Sequence, residues 1–363
     1  MDYFEQAINL LQKLISVPSF SNEEERAADI WEKWLNATGV KNVYRFHNNV
    51  FTFSSNFDDT KPTLMLNSHL DTVCPVDSYT RNPFNPEIIA GKLYGLGSND
   101  AGGSGVALAA TFLKFIDKGN LPFNLLLAIT ASEERMGEYG MRAFLPHLKE
   151  IGRYPAMAIV GEPTNCKAAI AERGLVVCDA LAEGTAGHAA RGEGVNAIYR
   201  AIEDIETIKG MTWPTESETL GPISSNVTMI SAGTQHNVVP DKCNYVVDIR
   251  TTDAFSNEET VRKLQEKLKW SKLTPRSTRI RASVLSSHNP LFRAARETGL
   301  DTFISPTTSD MALMYDIPSI KIGPGKSERS HTADEFIYLD EIKEGINVYS
   351  RFLNNLTEII SNQ

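Results

Sequence analysis

Hydrophobic positions along the chain follow two rhythms in turn. Apolar residues first recur at helical spacing, predicting helices over 2–14 and 22–38. Ser21 reads as the N-cap of the second, with Glu24 three residues on as its capping-box partner and Gly39 closing the helix. Short strand-like segments over 43–46 and 50–54 follow. Residues 63–73, TLMLNSHLDTV, then open on an unbroken apolar run, the mark of a strand buried on both faces, which ends at His69 and Asp71. The same texture returns over 122–130, PFNLLLAIT, with Glu133 and Glu134 just beyond it, and over 156–163, AMAIVGEP, which ends in Glu162 and a proline. Between the first two, 92–96 leads into GLGSNDAGGSG, and 102–118 reads as a helix rich in small residues. Strands alternating with helices predict an α/β fold, a mostly parallel sheet covered on both faces, with ligands beyond the carboxyl ends of its strands. His69, Glu133, Glu134 and Glu162 all stand at such ends.

The texture changes near Gly174. A strand over 175–182, a helix over 195–209, strands over 226–232 and 244–251, a helix over 257–268 and a strand over 279–285 give the order βαββαβ. That is the order of a ferredoxin-like unit. A helix over 290–298, a strand near Thr302, the loop SPTTSD, a helix over 311–315, a strand over 319–322 and a last helix from 339 restore the first pattern. The expected organisation is one domain formed by 1–173 and 287–363, with a second, 174–286, inserted in it.

Composition narrows this reading without redirecting it. A chain of 363 residues is long for one core. Its 42% hydrophobic and 22% charged residues are ordinary for a folded enzyme. A net charge of −9 gives no basic face for nucleic acid. No apolar run approaches the roughly 20 residues of a bilayer span, so no membrane association is expected. The amino terminus lacks the basic start of a signal peptide. Cys74, Cys166, Cys178 and Cys243 are widely spaced, as reduced thiols of a cytoplasmic protein would be.

The chemistry gathers at the strand ends. In H-x-D, His69 and Asp71 point to one side of a strand, so the carboxylate can hold the imidazole by its second nitrogen and set the tautomer that binds a metal. An ordinary strand-end histidine and turn aspartate would look the same. Glu133 and Glu134 read as solvated loop acids unless the buried strand before them delivers them to the sheet edge. Several carboxylates in one crevice repel and take up protons, a difficulty that two divalent cations remove. His331, in SHTADEF, follows an apolar strand and the turn IGPG. His188, in GTAGHAA, reads by itself as a surface turn residue, and Arg250, in DIR, as a carboxylate clamp or a strand arginine in an ion pair. GGSGV is one residue short of a serine-hydrolase elbow, and GLGSND lacks the third glycine of a dinucleotide loop.

In this order, HLDTV, GLGSNDAGG, TASEE, GEPT, an inserted domain with GTAGHAA, NVVPD and DIR, then TSD, IGPG and SHTADEF, the chain resembles the acetylornithine deacetylase, succinyl-diaminopimelate desuccinylase, aminoacylase and carboxypeptidase family of dinuclear zinc hydrolases. GLGSNDAGG, GEPTN and IGPGKSERSH look closest to the acetylornithine deacetylase branch. The resemblance implies a zinc-peptidase-like catalytic domain whose insert is a lid and dimerisation domain. It implies that His69 and Glu162 bind one zinc, that Glu134 and His331 bind the other, and that Asp100 bridges them; cobalt is an alternative metal. Glu133 would take a proton from the attacking water and pass it to the leaving amine, and Asp71 would orient His69. His188 would stabilise the oxyanion in the partner subunit of a homodimer, Asn237 and Arg250 would meet the substrate, and the peptide after Asp100 would be cis. The activity implied is removal of an acetyl or succinyl group from an amino acid such as ornithine or citrulline, in arginine biosynthesis. The alternatives are a succinyl-diaminopimelate desuccinylase, a di- or tripeptidase, and a homologue that binds metal without chemistry.

Overall fold

The computed structural model describes residues 3–362. Asp2, where the first helix was expected to begin, lies outside them, and that helix runs Tyr3–Ile15. Two compact units divide the chain. One runs to Ile170 and resumes at Leu285–Ile304 and from Ser309 onward; the other comprises Ala171–Val284 and Ser305–Thr308.

In the first unit, parallel strands Asn124–Thr130, Thr63–His69, Met157–Val160 and Ser319–Lys321 lie side by side in that order. Antiparallel strands extend the sheet: Asn49–Phe53 and Tyr44–Phe46 on one side, Ala168–Glu172 on the other. Every residue of Thr63–His69 and Asn124–Thr130 is buried, which is why neither strand alternates apolar with polar positions. The helix Gly103–Phe115 is buried around nearly its whole circumference and packs against the carboxy-terminal helix Leu339–Ser361. A Cβ at Gly102 would run into the Gly97 carbonyl and Leu11, and one at Gly103 into Ile337, whereas Gly105 has ordinary room. Close packing at the first two thus requires glycine, and the positive φ angles of this turn fall earlier, at Gly95 and Gly97.

Two local expectations are corrected. Ser21 does not cap the second helix, which runs Glu25–Ala37 with Glu24 at the N-cap and no side-chain cap bond. A cap contributes about 1 kcal/mol, and here both side chains are engaged elsewhere. The helix over 311–315 is a single turn, Asp310–Leu313. A further helix, Met141–Glu150, tolerates Pro146 inside it.

The second unit is an antiparallel sheet ordered Ser224–Ala232, Lys242–Thr251, Gly174–Glu183, Ser271–Pro275, with helices Ala197–Lys209 and Asn257–Gln265 packed on it. Numbered along the chain this is the order two–three–one–four of a ferredoxin-like unit. Its fourth strand comes earlier than the expected 279–285; within that stretch only Ser283–Val284 is strand, paired with Ala171 and Glu172. The true fourth strand is a short edge strand ending in a proline, which a sequence pattern renders poorly. Asp204 sets its start by accepting the backbone N–H groups of Lys269, Trp270 and Ser271 at 2.8, 3.0 and 2.6 Å. Cys178 and Cys243 pack in this unit's core, and all four cysteines are free. No helix among the described residues is long and apolar enough to cross a membrane.

Candidate metal centre

Three parallel strands of the first unit release their side chains at one edge. His69 ends its strand, Glu133 and Glu134 follow Thr130, and Glu162 lies two residues past Val160. Asp100 comes from the turn before Gly103–Phe115, and His331 from a loop where its own φ is +58°. Their ligand atoms form overlapping groups, each within 4.8 Å: His69, Asp100 and Glu162; Asp100, Glu134 and His331; His69, Glu133 and Glu134. Asp100 divides its carboxylate between two of them. Its Oδ1 lies 3.2 Å from Nε2 of His69, and its Oδ2 lies 3.6 Å from Nε2 of His331. His331 Nε2 also lies 3.0 Å from Glu134, and His69 Nε2 lies 3.8 Å from Glu162. The peptide between Asp100 and Ala101 is cis.

The electrostatics of this cluster follow from its crowding. Two carboxylates about 4 to 5 Å apart repel by roughly 3 to 4 kcal/mol at an effective dielectric near 20, enough to move a pKa by two to three units. Burial, with the Asp100 and Glu134 charges added and His69 opposing, pushes Glu162 up to about 8. Burial and the charges of Glu162, Asp310 and Glu134 also lift Glu133 well above its ordinary value against the pull of His69. For His69 burial works downward, but hydrogen bonds to Asp100 and Asp71 and the charges of Glu162 and Glu133 carry it well upward. The hydrogen bond to Glu134, partly offset by burial, sets His331 at about 9. Burial would raise Asp100, yet the bond and charge of His69, a bond from Ser330 and the His331 charge hold it low. Positive charge placed among these carboxylates would relieve their repulsion. Carboxylate oxygens and imidazole nitrogens grouped around one shared acid are a donor set that fits two such ions.

Asp71 meets His69 with both its main chain and its carboxylate. His69 Nδ1 hydrogen-bonds the main-chain oxygen of Asp71 at 2.9 Å, while the carboxylate stands 3.5 Å away. The backbone oxygen is the closer partner of Nδ1, with the carboxylate beside it. The Asp71 carboxylate also accepts Ser21 Oγ at 2.7 Å and the N–H groups of Glu133 and Glu134 at 2.9 and 3.2 Å. It organises the loop that carries the two glutamates.

Two further acids border the cluster. Glu335 is buried and accepts N–H bonds from Gly97, Asn99 and Asp100 at 3.0, 2.8 and 2.9 Å, tying the His331 loop to the Asp100 turn. Burial and the Asp100 charge push it up to about 8 against those three donors. Asp310, buried behind the strand ends, accepts Thr130 Oγ1 at 2.9 Å. Burial pushes it up to about 6, opposed by Thr130 and His69. Both lie inside motifs already quoted, SHTADEF and TSD, but only folding shows what an acid there touches.

His188, Asn237 and Arg250 belong to the second unit. His188 and Asn237 are exposed neighbours on a small ladder, where Gly187–His188 pairs with Val238–Val239 and Ala189 N donates to the Asn237 carbonyl at 3.1 Å. Arg250 is engaged along its own strand by Asp248, with Nε to Oδ1 at 2.8 Å and Nη2 to Oδ2 at 3.2 Å.

Comparison with known proteins agrees with this architecture. Residues 65–355 match Peptidase family M20/M25/M40, and the chain belongs to that family. It is accordingly a hydrolase, a metal-dependent amidohydrolase. It is 26% identical over 373 residues, 96% of this chain and 92% of the relative, to the succinyl-diaminopimelate desuccinylase of Wolbachia pipientis wMel. Among solved structures it is similar to the aminopeptidase PepT of Bacillus cereus, with a TM-score of 0.76, 19% identity and coverage of 97% of this chain and 98% of that one. It is also similar to YXEP of Bacillus subtilis, described as a dinuclear metal binding peptidase, with a TM-score of 0.73, 14% identity and coverage of 98% and 99%.

Proposed function

We propose that His69 and Glu162 hold one divalent cation, Glu134 and His331 a second, and that Asp100 serves both. Zinc is the expected metal, and cobalt a working substitute. The observation that carries this is the division of Asp100 between two histidines, one on each oxygen. Bound there, the cations would lower the pKa of water and polarise an amide carbonyl. Glu133 then takes a proton from the attacking water and delivers it to the leaving amine. Its place beside Glu134, in the same cluster as His69, suits a group that must both accept and return a proton there. Asp71 acts through the backbone, holding Glu133 and Glu134 by their N–H groups. His188 would stabilise the oxyanion in the partner subunit of a homodimer, Asn237 would meet the substrate and Arg250 its carboxylate; Arg250 would then share its guanidinium with Asp248.

The substrate is an N-acyl amino acid, cleaved at the amide. Similarity to a desuccinylase favours succinyl over acetyl, and the diaminopimelate alternative over the acetylornithine reading with its place in arginine biosynthesis. A homodimer through the second unit is supported by its exposed edge strand Ser224–Ala232, with Met229 and Ile230 64% and 55% exposed, and by Tyr199 at 68% on the neighbouring helix. The four free thiols support a cytoplasmic location.

The test is a panel: purified protein with zinc or cobalt, incubated with N-succinyl and N-acetyl derivatives of diaminopimelate, ornithine and citrulline, and with di- and tripeptides. Free amine from an N-succinyl amino acid is expected. Release from peptides alone would assign a peptidase, and release from none would refute the reading.

A further inference from the structure

Four consecutive backbone N–H groups, from Ala131 to Glu134, are each bound by a side chain brought from elsewhere. Ala131 N donates to Asn49 Oδ1 at 3.0 Å, Ser132 N to Glu24 Oε1 at 3.1 Å, and Glu133 N and Glu134 N to the two oxygens of Asp71. No helix or sheet partner serves them, because the strand has ended at Thr130. Ser132 also has a positive φ of +55°, a conformation that serine rarely adopts and that needs outside support.

Glu24 supplies most of that support. Its side chain is buried, and Oε1 accepts three donors: Asn22 N at 2.7 Å, Ser132 Oγ at 2.9 Å and Ser132 N. Oε2 accepts Asn48 Nδ2 at 3.0 Å. Ser21, three residues before Glu24, donates its hydroxyl to Asp71, the neighbouring clamp. The pair that reads in the sequence as a helix cap is therefore a brace for the loop bearing Glu133. Glu24 makes no hydrogen bond to a candidate ligand side chain and acts through Ser132, by its N–H and its hydroxyl.

We propose that Glu24 is a positioning residue: by holding Ser132 in its left-handed conformation, it fixes the direction in which Glu133 and Glu134 leave the sheet. This rests on the role given above to Glu133. A misplacement of about 1 Å at a reacting group can reduce a rate on the order of 100-fold. Removal of a supporting partner commonly reduces activity by about 10- to 100-fold.

The test uses the full-length, metal-loaded enzyme with Glu24→Ala and Glu24→Gln. In Glu24→Ala, kcat should fall about 10- to 100-fold with KM within about twofold and two metal ions per chain retained. Glu24→Gln keeps the shape and one acceptor oxygen and should recover most of that loss. Amide hydrogen exchange over 131–134 should speed up in Glu24→Ala and return towards wild type in Glu24→Gln. Wild-type kcat in a folded Glu24→Ala, a glutamine variant as slow as the alanine one, or unchanged exchange would each overturn the proposal. Should Glu24→Ala not fold, Ser132→Ala decides it: losing the hydroxyl bond to Glu24 should lower kcat and speed exchange over 131–134, and wild-type values of both would overturn the proposal. If wild type cleaves nothing in the panel, the hydrolase reading fails, while the exchange measurement still decides whether Glu24 holds the loop.

Discussion

Loading the candidate centre should displace protons, and the structure sets how many. With the cations stripped by a chelator, His331 titrates at about 9, Glu162 at about 8 and His69 well above its ordinary value. All three are therefore protonated at neutral pH, whereas Asp100 is held low and stays ionised. A ligand atom must lose its proton to bind a metal, so filling both positions at pH 7 should release about three protons from the ligands. By linkage, the combined affinity should rise about 1,000-fold from pH 6 to pH 7 and level off above the His331 value. The sign is fixed: raised pKa values mean protons compete, so affinity is lost as the pH falls below about 9, where His331 takes up its proton, and more steeply below about 8, where Glu162 follows. Calorimetric titration of the stripped protein with zinc, in two buffers of different ionisation enthalpy, counts the protons directly. Fewer than one proton per pair of ions at pH 7, or an affinity flat between pH 6 and 8, would refute the assignment of these three residues as ligands.

Glu133→Gln should lower kcat by about 10² to 10⁴ while both metal ions remain, because the residue moves protons and ligates neither ion; kinetics with metal analysis on the same sample checks it. Loss of an ion in that variant would instead make Glu133 a ligand. In the second unit, Asp204→Asn turns an acceptor of three N–H groups into one with a donor facing them. It should destabilise by about 2 to 4 kcal/mol, read as a lower urea midpoint at unchanged slope. A change below about 0.5 kcal/mol would mean that these bonds do not set the start of Ser271–Pro275.

The sequence by itself determined the layered plan and the chemistry available to it. Thr63–His69 and Asn124–Thr130 are legible because strands buried on both faces must be apolar throughout, and such strands deliver whatever follows them to one edge. His69, Glu133, Glu134 and Glu162 stand at that edge for this reason, and folding brings Asp100 and His331 beside them. Where local preference and tertiary demand differ, the sequence misleads. Ser21 and Glu24 satisfy a helix-capping pattern, but the N–H groups of residues 132–134 lie buried with no ladder to join, and leaving them unsatisfied would cost more than an uncapped helix end exposed to water. The edge strand Ser271–Pro275 was misplaced because an edge needs little apolar pattern and its start is set by Asp204, about 65 residues earlier. The tertiary structure alone decided that a main-chain carbonyl holds His69, that Asp71 holds the glutamate loop, and that Glu335 ties the Asp100 turn to the His331 loop. Periodicity reports which face of an element is buried; it carries no record of which distant polar group will satisfy a buried N–H, because that pairing exists only once the chain has folded.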